Sequence, residues 1–109
     1  MATFDIFKDV KNEFRFNLKA DNGERILHSE SYKNIDGARN GIKSVKENAS
    51  NDARYTRETS TNGQFFFTLR AANHEVIGTS EMYKDEGNRD EGIADVKRLA
   101  PDAQVKEPL

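Results

Sequence analysis

Phe14-Arg15-Phe16-Asn17-Leu18-Lys19-Ala20-Asp21-Asn22-Gly23-Glu24 returns 51 positions later as Phe65-Phe66-Phe67-Thr68-Leu69-Arg70-Ala71-Ala72-Asn73-His74-Glu75. In both copies apolar side chains fall on every second residue, the period of a half-buried strand. The register continues without a gap through Ser29-Glu30-x-Tyr32-Lys33, Gly41-Ile42, Val45-Lys46 and Ala49. Their counterparts are Ser80-Glu81-x-Tyr83-Lys84, Gly92-Ile93, Val96-Lys97 and Ala100, and 16 of the 36 pairs from 14/65 to 49/100 are identical. A repeat of this length fixes the architecture before any other clue.

Outward from that stretch, Phe4 to Lys8 reads as a preceding strand, and Tyr55 stands at Phe4's place in the second copy. Glu24 to Ser29 and Glu75 to Ser80 read as third strands. Asn22-Gly23 and Asn62-Gly63 are hairpin signals, because both residues tolerate positive φ. Asn73-His74 replaces one of them, which predicts a wider or strained turn there. Ile35, Ala38, Ile42, Val45 and Ala49 form one apolar helical face behind an Asn34 cap. In the second helix Glu86 and Arg89 stand where Ile35 and Ala38 were, so its buried part is expected from Ile93 to Ala100, ending at Pro101. Asp52-Ala53-Arg54-Tyr55 is echoed by Asp102-Ala103-Gln104-Val105. Ala103 to Lys106 is therefore expected to pair back into the sheet as a short strand and interlock the halves.

A unit of about 50 residues would be marginal alone, so two repeats sharing one core is the expected organisation. The sequence predicts a single domain over residues 1–109, with repeat one at 1–52 and repeat two at 53–109. With 35% hydrophobic and 33% charged residues, the composition is that of an ordinary folded chain, and a net charge of −2 gives no long-range pull on nucleic acid or acidic membranes. Without cysteine there are no disulfides, thiol nucleophiles or Cys-based zinc sites. Met1 to Lys8 lacks the basic and apolar regions of a signal peptide, so a cytoplasmic location is the expectation. No apolar run approaches the roughly 18 residues of a membrane span.

The densest repeated polar residues, Ser29, Glu30, Tyr32 and Lys33 with Ser80, Glu81, Tyr83 and Lys84, are the candidate binding residues. They lie at strand-to-helix corners, where helix N-termini favour anions; the competing duty is to satisfy backbone donors at that corner. The alternative surface is the outward sheet face, with Arg15, Lys19, Phe66 and Arg70 as a single-stranded nucleic-acid binder. Gly41 and Gly92 sit mid-helix, where glycine costs about 1 kcal/mol, and imply close packing. His28 and His74 do not repeat, and the acidic run from Asp85 to Glu91 fails as a calcium loop because Val96 falls at its twelfth position. No nucleophile, acid/base or metal-ligand pattern emerges, so no enzyme and no cofactor is expected. The function expected is a non-catalytic binding or structural module, monomeric, whose partner is protein met through a sheet edge or the helix faces.

Leu18-Lys19-Ala20-Asp21-Asn22-Gly23-Glu24, Ser29-Glu30-Ser31-Tyr32 and Gly41-Ile42-Lys43-Ser44-Val45-Lys46, with their second copies, resemble the YegP-like family of small bacterial proteins along essentially the whole chain. The resemblance implies an α+β fold of two tandem β(3)-α-β units. They would share one mostly antiparallel sheet with two helices packed on it, and exchange their closing strands. It implies no catalytic residue, since the family is a domain of unknown function.

Overall fold

The computed structural model describes residues 1–107. Strand β1 (Thr3–Lys8), β2 (Phe14–Lys19) and β3 (Arg25–His28) lead into helix α1 (Ile35–Asn48). A 3-10 turn at Asp52–Arg54 opens the second copy: β4 (Tyr55–Thr59), β5 (Phe65–Arg70), β6 (Val76–Thr79) and helix α2 (Glu86–Leu99). A second 3-10 turn at Ala100–Asp102, carrying Pro101, precedes β7 (Gln104–Lys106). All seven strands form one sheet in the order β4-β5-β6-β3-β2-β1-β7. Every neighbouring pair is antiparallel except β1 with β7, where the closing strand of the second repeat lies parallel on the first strand of the first repeat.

Register explains the two faces. Thr56, Thr68, Thr79, His28, Asn17, Asp5 and Lys106 are successive cross-strand partners, one polar row crossing the whole sheet. Residues one step along each strand turn to the other side, where Phe4, Phe16, Leu18, Leu27, Phe67 and Leu69 are fully buried. Both helices lie on that side, contributing Ala38, Gly41, Ile42 and Val45 from α1, and Ile93 and Val96 from α2. At ~25 cal/mol per Å² of apolar surface, each fully buried Leu or Phe contributes about 1.5–3 kcal/mol.

Asn34 and Asp85 cap the helices, their side chains accepting from Gly37 N–H at 2.8 Å and Asn88 N–H at 2.7 Å. The second helix departs from expectation at its start. Arg89 is 6% exposed and Gly92 is buried, so the buried face begins a turn before Ile93. The Arg89 guanidinium lies 5.6 Å from the Phe65 ring centroid and is flanked by Glu86 at 3.5 Å and Asp90 at 3.3 Å. Its stem and planar head cover the ring while the acids satisfy its charge.

The four hairpin turns share one construction. Asp9, Ala20, Ser60 and Ala71 each donate to the carbonyl four residues on, and each accepts from the residue three on. The accepting bond comes from the only left-handed residue of each turn: Asn12, Gly23, Gly63 and His74, with φ between 68° and 83°. This is a type I turn closed by a left-handed residue. The His74 turn is therefore as tight as its copy rather than wider, and the strain sits in the His74 backbone itself. In the Asn-Gly turns glycine alone takes positive φ.

At the junction of the repeats β3 and β6 meet through the single pair His28–Thr79. Beneath it the symmetry breaks. A Cβ on Gly78 would come 2.6 Å from Leu27 Cδ2, so one large side chain fills the space and its counterpart has none.

Candidate functional site

The Ser-Glu-x-Tyr corners are built into the ladder. Phe14 and Tyr32 exchange both backbone hydrogen bonds at 2.7 Å, while Ser29 N–H donates to Phe16 O at 2.9 Å. Between them Glu30 and Ser31 bulge out, leaving Phe16 N–H without a backbone acceptor. The buried Ser29 hydroxyl accepts that N–H at 2.9 Å and donates to Glu30 O at 2.8 Å. Ser80 does the same for Phe67 N–H and Glu81 O. Losing such an acceptor strands a buried donor, at a cost of about 1–3 kcal/mol.

Tyr32 and Tyr83 lie behind the corners, stacked almost flat on Phe16 and Phe67 with interplanar angles of 11° and 9°. Their rings slide under the helices where Gly41 and Gly92 remove the side chain; an alanine Cβ there would overlap the phenol oxygens and lie 2.9 and 2.8 Å from the ring Cζ atoms. Each phenol also faces the other repeat. Burial, then Glu30 and Glu75, pushes the Tyr32 phenol up; burial, then Asp95, Glu24 and Glu81, does so for Tyr83. A groove of about 460 Å³ opens beside Tyr83, lined by Asn22, Glu24, Glu91 and Asp95 among others.

The corner acids are not equivalent. Glu81 reaches across the junction to Arg25 at 2.9 Å and to His28 Nδ1 at 3.2 Å. The residues matching Arg25 and His28 are Val76 and Thr79, so Glu30 has no such partners. Burial raises the Glu81 carboxyl, but Arg25 and His28 outweigh it and hold the group below its ordinary value. Lys33 and Lys84 are exposed at the corners.

Arg15, Lys19, Phe66 and Arg70 do share the outward face, spread over β2 and β5, which β3 and β6 separate. Arg15 is held by Asp9 at 3.0 Å and Lys19 by Asp5 at 3.3 Å, while Arg70 donates to its own turn at His74 O. Phe66 is half-buried. Among the described residues no group of three or more His, Asp or Glu side chains could hold a metal ion. Among the described residues no helix is long and apolar enough to cross a membrane.

The residues of the sheet edges are not legible in the sequence, because a free edge is a property of pairing over long separations. On β1, Asp9 N–H bonds Glu13 O and Lys8 opposes Phe14, so by antiparallel alternation Ala2, Phe4 and Ile6 turn their backbone groups outward. β7 occupies that side, with Gln104 N–H donating to Ala2 O at 3.1 Å. Just beyond β7, Glu107 takes two hydrogen bonds from Arg39 of α1, at 2.6 and 2.9 Å. On β4 the same alternation, set by Ser60 N–H to Gln64 O, turns Tyr55, Arg57 and Thr59 outward. Tyr55 N–H is spent on Asp52 O. Among the described residues no strand pairs with the N–H groups of Arg57 and Thr59 on this edge.

Known proteins place this architecture. A protein encoded 5′ of the ptx operon in Stutzerimonas stutzeri is 54% identical over 106 residues, covering 97% of this chain and 96% of its own. The YegP protein of Escherichia coli K12 is 46% identical over 104 residues, covering 95% and 94%. The solution structure of YegP from E. coli superposes with a TM-score of 0.92 at 45% identity, and that of a Shewanella oneidensis relative with 0.91 at 42%. These cover 97% of this chain and 91% and 90% of theirs. The relatives carry the name UPF0339, and the E. coli structure is described as a protein of unknown function. The family model of the domain of unknown function DUF1508 matches twice, at residues 9–55 and 60–107, and the chain belongs to that YegP-like family.

Proposed function

We propose that this protein is a small, non-catalytic protein-binding module, monomeric and cytoplasmic, that takes an extended segment of its partner along the outer edge of β4. The observation that carries this is the difference between two equivalent edges. The edge of β1 holds a short parallel strand, while the same edge of β4, 51 residues on, presents unpaired backbone donors and acceptors in the same alternation. Strand addition draws its affinity from main-chain hydrogen bonds and its specificity from side chains on alternate positions. Arg57 and Glu58 put charge on the strand, a usual guard against indiscriminate pairing, so a partner has to match it.

The outward face as a single-stranded nucleic-acid site is the weaker reading, because two of its cations are neutralised by neighbouring acids and it offers one aromatic platform. One experiment separates the two. Labelled protein is used to capture partners from native lysate, and backbone shifts are followed on adding the captured protein and, separately, single-stranded RNA. Partner-induced shifts and slowed amide exchange at Arg57 and Thr59 are expected. Salt-sensitive shifts at Arg15, Lys19, Phe66 and Arg70 with RNA, and none on β4 with protein, would overturn it.

A further inference from the structure

The first repeat contains a working example of a strand on this edge, and the second repeat reverses its charge. On the β1 side, α1 offers Arg39, and the segment leaving β7 answers with Glu107 through two charge-assisted hydrogen bonds. The position equivalent to Arg39 in α2 is Asp90. Asp90 is half-exposed and takes Arg57 at 3.0 Å and Arg89 at 3.3 Å, both on Oδ1, which leaves Oδ2 to accept another donor. The surroundings differ in the same sense. From cap to second turn, α1 carries Asp36 and Arg39, whereas α2 carries Asp85, Glu86, Asp90 and Glu91 against Arg89 alone. Arg89 is itself buried against Phe65. The edge of β1 accepts an acidic-ended strand, and the edge of β4 faces an acidic helix start.

Resting on the strand-addition reading above, we infer that the β4 edge selects an extended protein segment lying parallel to β4, with an arginine or lysine at the register position that Glu107 holds beside β1, received by Asp90. Two strand residues earlier the register asks for a small or apolar side chain, as Val105 sits beside Phe4. That side chain would lie against Tyr55 and the stem of Arg57. Arg57, the cross-strand neighbour of that cation, is itself neutralised by Asp90 through Oδ1, and the incoming cation is received on Oδ2.

The test uses the whole labelled protein and two blocked pentapeptides, Ala-Gln-Val-Lys-Arg and Ala-Gln-Val-Lys-Glu, titrated to millimolar concentration while backbone shifts are followed. The arginine peptide is expected to move the amides of Arg57, Thr59 and Asp90 and to bind roughly fivefold more tightly than the glutamate peptide, the size of one partly exposed ion pair. Asp90→Arg should reverse the order, and Asp90→Asn, which keeps the shape, should level it. Equal binding of both peptides on β4 overturns the basic preference and leaves strand addition standing. Shifts confined to β1 and α1, from a peptide displacing β7, or none on β4 at millimolar peptide, overturn strand addition itself.

Discussion

Replacing Gly41 with alanine sets two effects against each other inside one residue. In a helix interior the substitution is worth about 1 kcal/mol in favour of folding, from backbone entropy alone. Against it stands the Tyr32 ring, which the added Cβ would overlap at the phenol oxygen and approach to 2.9 Å at Cζ, with Phe16 Cε2 at 3.0 Å. Neither ring can step aside: Tyr32 is stacked on Phe16, and Phe16 is fully buried against the edge of Phe4. Overpacking of this kind costs about 1–3 kcal/mol. The net is a destabilisation of about 1 kcal/mol, and the same holds for Gly92→Ala against Tyr83 and Phe67. Urea unfolding followed by circular dichroism measures it, as a lower midpoint at unchanged slope. Tyr32→Phe removes the nearest atom, so the pair should couple by at least about 0.5 kcal/mol in a double-mutant cycle. A Gly41→Ala midpoint above that of the parent, or strict additivity with Tyr32→Phe, refutes the packing account.

Three further outcomes are expected. Leu27→Gly should cost about 3 kcal/mol or more, and adding Gly78→Leu should recover most of it, because the shared space is then filled from the symmetry-related strand; failure of the second change to rescue in calorimetry sinks the shared-space reading. His74→Gly should stabilise by up to about 1 kcal/mol, less what glycine gains in the unfolded chain, read as a higher thermal midpoint with the turn's shifts intact. The Glu81 carboxyl is held below its ordinary 4.5, so its contribution is present above that pH and is lost as pH falls through the folded value. Stability of the parent relative to Glu81→Gln, under about 1 kcal/mol for so exposed a group, should shrink below pH 4.5; a difference that persists undiminished into acid refutes it.

What the sequence disclosed follows from the range of the interactions involved. Phe14, Phe16 and Leu18 alternate with polar neighbours because a strand's faces are set by adjacent residues, and the α1 face repeats every three to four residues for the same local reason. Asn34 and Asp85 were legible as caps because a cap contacts its own first turn. Arg89 was misleading because its burial depends on Phe65, more than twenty positions away, and on two acids that neutralise it. The roles of Ser29 and Ser80 were legible only as corner duty, since the orphaned donor they satisfy is on another strand. Gly78 gave no sign of its constraint, which is Leu27 of the other repeat. The charge reversal from Arg39 to Asp90 was in plain view in the alignment of the halves. Its meaning lies in Glu107, 68 positions from Arg39 in sequence and bonded to it in the fold.

The parallel seam between β1 and β7 also has a consequence in time. Thr3 and Gln104 are partners, yet Gln104 is made about a hundred residues after Thr3, an interval on the order of 5–20 s at ordinary rates of synthesis. For that interval the outward groups of Phe4 and Ile6 wait on a nascent chain whose first hairpin is already complete. Midway through it the ribosome delivers Asp52-Ala53-Arg54-Tyr55, which shares its Asp-Ala opening with the segment they are waiting for. Native threading requires that this first-delivered segment go to β5 and that the edge of β1 stay open for β7.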